Sequence, residues 1–258
     1  MKKSMYTRLI AAAAILAVVL TAGAVYAIAE GAEARPAVTF PDVPKNSWYY
    51  EFVSEAADSG IISGDNFGRF NPGQFITRGQ FVTIIGRIAG IDTGVPKART
   101  YYDIPVTSYL APYVAWGSET GITGGYEDGT FKPDRPVSRQ AAAIILDRFL
   151  RGYLGLELIA EQAVFTYADE SGFDLRAAGA IYKFTSAGIF AGDSYERFNP
   201  NVSMTRAEAA KVISLFLEAL ETAAPLSEDY DAAEGGADAE FFADEPLPEP
   251  AGLPVAYG

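Results

Sequence analysis

Apolar residues return at helical spacing along most of the chain, and polar or glycine positions mark where each run begins and ends. From Ser47, residues Trp48, Phe52, Val53 and Ala56 fall on one face of a predicted helix, and Gly60 stands where a left-handed C-cap is wanted. A glycine-rich loop runs to Phe70-Asn71-Pro72. Thr77 then offers an N-cap to a second helix, whose stripe of Phe81, Ile84, Ile85 and Ile88 stops at Gly90. The same cap and stripe return at Ser138 with Ile144, Ile145 and Phe149, and at Thr205 with Val212, Ile213, Phe216 and Leu220.

These units are copies of one another. Phe40-Pro41-Asp42, Tyr101-Tyr102-Asp103 and Tyr167-Ala168-Asp169 open them. Gly60-Ile61, Gly121-Ile122 and Gly188-Ile189 follow, then Phe70-Asn71-Pro72, Phe131-Lys132-Pro133 and Phe198-Asn199-Pro200. From the first of these glycines to Arg78, Arg139 or Arg206 is 18 residues in every copy. Only the front end drifts, with 18, 18 and 19 residues from the aspartate to that glycine. A helix pair this short cannot bury its apolar face alone, whereas three packed copies can. The expectation is an all-α fold of three helix-loop-helix repeats, at residues 38–91, 100–156 and 165–221.

Both ends differ in character from the repeats. Lys2, Lys3 and Arg8 precede a continuous apolar stretch from Leu9 to Ala24, broken only by Thr21, and Val25-Tyr26-Ala27 has a cleavage pattern. Residues 1–27 therefore read as an export signal; the alternative is an uncleaved membrane anchor, the one route by which the chain would meet a membrane. Residues 222–258 hold nine acids, no base and five prolines, which predicts a disordered acidic tail, a spacer or a contact for other surface proteins.

Composition narrows the chemistry. With no histidine and no cysteine, the chain cannot build Ser-His-Asp or Cys-His nucleophile systems, His/Cys zinc sites or thiol redox centres. No cofactor is expected. A formal charge of −13 gives no general attraction for nucleic acid. Removing residues 1–27 leaves 17 bases against 33 acids, a net −16. Enzymes that use carboxylates alone, such as glycosidases, survive these exclusions.

Aromatic-x-Asp, a helix ending at Gly-Ile, a glycine-rich loop to Phe-x-Pro and then Thr205-Arg206-Ala207-Glu208 opening an apolar helix resemble the S-layer homology domain family over about residues 38–220. Repeats one and two depart from the motif, reading Thr77-Arg78-Gly79-Gln80 and Ser138-Arg139-Gln140-Ala141. The family's helix-one tryptophan is Trp48 in repeat one, with Tyr109 and Arg176 at that position in repeats two and three. The resemblance implies a pseudo-threefold assembly around a central helical bundle. It also implies an exported protein of the cell wall or S-layer, of a Gram-positive type of envelope. Its partner would be an anionic secondary cell-wall polysaccharide held in grooves between repeats, with a pyruvylated amino sugar as the usual ligand feature.

The motif residues admit two readings each. Thr77 and Thr205 complete capping boxes with Gln80 and Glu208, and Ser138 caps likewise; all three also stand as candidate ligand-binding residues beside the arginines. Arg78, Arg139 and Arg206 sit at the positive end of a helix dipole, which is mildly unfavourable and asks for a reason. A guanidinium beside helix N–H donors makes a carboxylate site; the rival is an ion pair with Asp42, Asp103 or Asp169. Those aspartates read equally as partners of the arginines or as caps. Gly64, Gly125 and Gly192 read first as residues of special backbone conformation, and second as places where a sugar approaches the main chain. Trp48 and Tyr109 read as core, with stacking on a sugar as the alternative. The loops near Asp65 and Asp128 faintly suggest calcium, but the twelfth residue from Asp65 is Ile76 rather than the acid an EF-hand needs. Wall-polysaccharide binding leads, ahead of a lattice subunit and a glycosidase.

Overall fold

The computed structural model describes residues 38–94, 101–159 and 165–226; the signal segment and the tail beyond Leu226 lie outside them. Each repeat supplies an outer and an inner helix. The outer helices are α1 (Tyr50–Asp58), α3 (Ala111–Glu119) and α5 (Leu175–Ser186). The inner ones are α2 (Arg78–Ile88), α4 (Arg139–Asp147) and α6 (Arg206–Leu220). A π-helical segment, Arg148–Leu154, continues α4, and a 3₁₀ turn, Glu170–Gly172, precedes α5. The mainly helical fold is as expected.

Local chemistry sets the helix ends. Thr77 and Thr205 form capping boxes with Gln80 and Glu208, and the Ser138 hydroxyl accepts from the Ala141 N–H. Gly60, Gly121 and Gly188 are all left-handed, at φ 73°, 73° and 74°. The first helix begins later than Ser47. The Ser47 hydroxyl donates back to the Pro44 carbonyl at 2.7 Å, so it closes a turn instead of capping a helix. Trp48 lies in that turn, and the buried face of α1 is Val53, Ala56 and Ala57.

Packing is handed from one repeat to the next. α3 packs on α2, α5 on α4 and α1 on α6, so each outer helix rests on the inner helix of the preceding repeat and the third closes onto the first. Phe81, Ile85, Ile145, Phe149, Ile213 and Phe216 of the inner helices and the π-helical segment are fully buried in one core. Where the inner helices begin, three backbone hydrogen bonds form a closed triangle. The Ile76 N–H donates to the Met204 carbonyl (2.9 Å), the Met204 N–H to Val137 (2.9 Å) and the Val137 N–H to Ile76 (3.0 Å). This triangle marks the pseudo-threefold axis.

The chain is not structureless from residue 222. Strand β1 (Leu156–Glu157) pairs antiparallel with β2 (Ala224–Pro225), and the Leu226 N–H donates to the Gly155 carbonyl at 2.9 Å. Truncation after Leu226 keeps this pairing and sets the reference melting temperature. Truncation after Glu221 should lower it by a few degrees, as expected for loss of about 1 kcal/mol in a domain of this size. Thermal melts of the two shortened proteins check this.

Candidate functional site

Every repeat holds its Phe-x-Pro turn in the same way. The phenylalanine rings of Phe70, Phe131 and Phe198 are fully buried. Residue x is left-handed: Asn71 at φ 59°, Lys132 at 55° and Asn199 at 60°. Asn adopts this conformation readily, and Lys does so at a cost of roughly 1 kcal/mol. The aspartate of the aromatic-x-Asp motif pins the turn. Asp42 accepts from the N–H groups of Phe70 (2.8 Å) and Asn71 (2.6 Å). Asp103 takes those of Phe131 and Lys132, both at 2.7 Å, and Asp169 those of Phe198 (2.8 Å) and Asn199 (2.7 Å). The three aspartates are thus backbone anchors within their own repeats.

The arginines grip the other side of that turn, in the next repeat. Arg78 Nε donates to the Phe131 carbonyl (3.1 Å) and Nη2 to Gly124 (2.9 Å). Arg139 donates to Phe198 and Ala191, both at 2.7 Å. Arg206 closes the ring, donating to Phe70 (2.7 Å) and Ser63 (2.8 Å) of repeat one. Each guanidinium carbon lies over the ring of the phenylalanine whose carbonyl it binds, at 4.6, 4.5 and 4.7 Å. Burial pulls Arg78 down to about 10, which leaves it cationic at neutral pH, and lowers Arg139 and Arg206 as well.

These contacts correct the sequence reading of the helix N-termini. The first two N–H groups of each inner helix already have partners in the following repeat. Those of Arg78 and Gly79 donate to the Arg135 and Pro133 carbonyls, those of Arg139 and Gln140 to Val202 and Pro200, and those of Arg206 and Ala207 to Gln74 and Pro72. No backbone donors are left there for a ligand carboxylate. The carboxylates of Asp42, Asp103 and Asp169, the rival partners of the arginines, face backbone amides of their own repeats.

Gly64, Gly125 and Gly192 are needed for space, and none is left-handed. A Cβ on Gly64 would sit 2.6 Å from the Phe40 ring and 2.9 Å from the Arg69 carbonyl. On Gly125 it would meet the Tyr101 ring and the Thr130 carbonyl, and on Gly192 the Tyr167 ring at 2.7 Å. An aromatic of the protein fills the place where a sugar was considered. Trp48 and Tyr109, read first as core, are 57% and 61% exposed. The loop acids have partners too. Asp65 is held well below the usual carboxylate range by the Arg69 N–H and the Asn71 amide, and Asp193 by the Arg197 and Asn199 side chains.

A cavity of about 350 Å³ opens over repeat one, with Ser63, Asp65, Gln80 and Arg87 on its own walls, Tyr109 from repeat two and Arg206 from repeat three. Arg87, which the repeat pattern did not single out, donates Nη1 to the Ile61 carbonyl (3.0 Å) and the Ser63 hydroxyl (3.1 Å). Nη1 of Arg206 and Nε and Nη2 of Arg87 have no partner among the described residues. Two guanidinium groups with free N–H groups thus line one cavity, a chemistry suited to an anion. Repeat three has Leu215 where Arg87 stands, so a search for recurring residues passes over it.

The family model for the S-layer homology domain matches residues 39–82, 100–143 and 166–210. The chain is similar to an endoglucanase of Bacillus sp. (strain KSM-635), at 29% identity over 181 residues, 70% of this chain and 19% of that protein. It is similar to cell surface glycoprotein 1 of Acetivibrio thermocellus, at 30% identity over 58% of this chain and 7% of that one. A cellulosome-anchoring protein of the same organism matches at 28% identity over 66% of this chain and 39% of its own length. The chain spans well under half of each relative.

Arg206→Ala leaves two carbonyls of repeat one without their donors. It should destabilise the fold by on the order of 2–4 kcal/mol, several degrees in melting temperature. Arg206→Lys should recover only part of this, since one ammonium cannot reproduce the fork. Gly125→Ala should likewise destabilise the fold, by about 1–3 kcal/mol, whereas Gly73→Ala, with nothing within 4 Å of the added carbon, should change its stability little. Calorimetry of the four variants tests both statements.

Proposed function

Because the chain belongs to the S-layer homology domain family, we propose that it is a non-enzymatic anchor that holds secondary cell-wall polysaccharide without covalent chemistry. Family membership and the surface and anchoring proteins among its relatives support a place at the cell surface. The observation that carries the finer reading is the pair of guanidinium groups, Arg206 and Arg87, facing one cavity over repeat one. A carboxylate-bearing sugar, such as a pyruvylated amino sugar, fits that chemistry. Arg206 then has two roles: Nε and Nη2 clasp repeat one, and Nη1 meets the ligand. The exposed Tyr109 ring offers an apolar face to the sugar. An overall acidic chain would thus hold an anionic glycan through a local exception to its charge.

Wall sacculi carrying the polysaccharide should bind the protein, and binding should fall when the pyruvyl groups are removed; equal binding to bare peptidoglycan would count against the proposal. With a soluble glycan fragment, Tyr109→Ala should weaken binding by roughly tenfold, the loss of a 1.4 kcal/mol contact, without lowering the melting temperature, because the ring is exposed. Titration calorimetry beside a thermal melt reads both effects.

A further inference from the structure

We infer that the groove on repeat two is closed by the chain's own side chains, so that the three repeats do not offer three equivalent sugar sites. This rests on the reading of the repeat-one cavity given above. One residue after the crowded glycine, repeats one and three carry Asp65 and Asp193, and repeat two carries Tyr126. Asp65 and Asp193 turn onto their own loops. Each accepts from an arginine four residues on (Arg69, Arg197) and from the asparagine of Phe-x-Pro, at 2.9 Å from Asn71 and 3.0 Å from Asn199. Both loops therefore leave the groove floor clear of a large side chain from this position.

Repeat two keeps an arginine, Arg148, in the place of Arg87 but changes Asp65, Asn71 and Gln74 together, and the replacements touch one another. Lys132 stands where the asparagines are, and its ammonium lies 3.8 Å from the centre of the Tyr126 ring. Arg135, in the place of Gln74, donates Nη1 to the Tyr126 hydroxyl at 3.2 Å. Beneath them the Arg78 guanidinium carbon lies 5.5 Å from the same ring, and Arg78 is only 2% exposed. Its counterpart Arg206 lines an open cavity. The Tyr126 ring thus stands in the groove with cations on it, and the arginine that would have to meet a carboxylate is covered. The amide of Gln80 is also missing, since Ala141 takes its place. The repeat-three counterpart of Tyr109 is Arg176, which donates twice to its own Asp174, at 2.9 Å each.

The test is a titration of the full mature chain with the methyl glycoside of a pyruvylated N-acetylhexosamine, followed by backbone amide NMR. Shifts confined to repeat one, near Ser63 to Asn66 and Arg87, with residues 123–128 unmoved, are the expected result. Shifts of residues 123–128 at the same probe concentration overturn the closure. The double variant Tyr126→Asp with Lys132→Asn rebuilds the repeat-one arrangement, and residues 123–128 should then respond to the probe. Absence of shifts in every repeat would sink the carboxylate reading rather than the closure. Closure is then read in the free protein by nitration with tetranitromethane. Tyr126 should be modified several-fold more slowly than Tyr109, and equal rates would overturn it.

Discussion

An arginine in the first turn of a helix opposes the helix dipole and, once buried, gives up its hydration. This chain accepts that arrangement three times, because each guanidinium donates to two carbonyls of a neighbouring repeat and so ties the two repeats together. The aspartate of that neighbour holds the N–H side of the same turn. The Phe-x-Pro turn is therefore gripped from both faces, by its own repeat and by the preceding one. The helix pairs and the cavity over repeat one take their positions from this junction.

Chain-local chemistry was legible in the sequence. The caps at Thr77, Ser138 and Thr205 and the left-handed glycines at 60, 121 and 188 need only neighbours along the chain, and they stand where the pattern put them. The threefold organisation followed from spacing alone. Long-range contacts were not legible. Arg206 meets the Phe70 carbonyl across 136 residues, and nothing in either local motif names the other as its partner. For the same reason Gly64, Gly125 and Gly192 were singled out by their spacing for the wrong cause: the aromatic ring that crowds each lies more than 20 residues upstream. Trp48 and Tyr109 obey a helical count but fall before the first helical residue, which leaves them exposed.

The site departs from the symmetry of the scaffold. The clasps, the turn and the caps recur in all three repeats because all three interfaces must hold. Residues over the grooves are free of that demand and differ: Arg87 has no counterpart in repeat three, Gln80 becomes Ala141 and Glu208, and Asp65 becomes Tyr126. Recurrence within this chain thus tracks what the ring needs to close, and divergence between repeats tracks what each groove presents.

The hydrogen-bonded triangle of Ile76, Val137 and Met204 bears on how the domain carries mechanical load. A linear stack of three repeats has two interfaces and two open ends, and a break at either interface frees a repeat. In a ring, rupture of one interface leaves the other two in place. The parted faces stay tethered at high effective concentration, and re-forming them is an intramolecular event. A pull applied to the polypeptide must open more than one junction before any repeat can leave, so closure turns three modest contacts into resistance that none of them has alone.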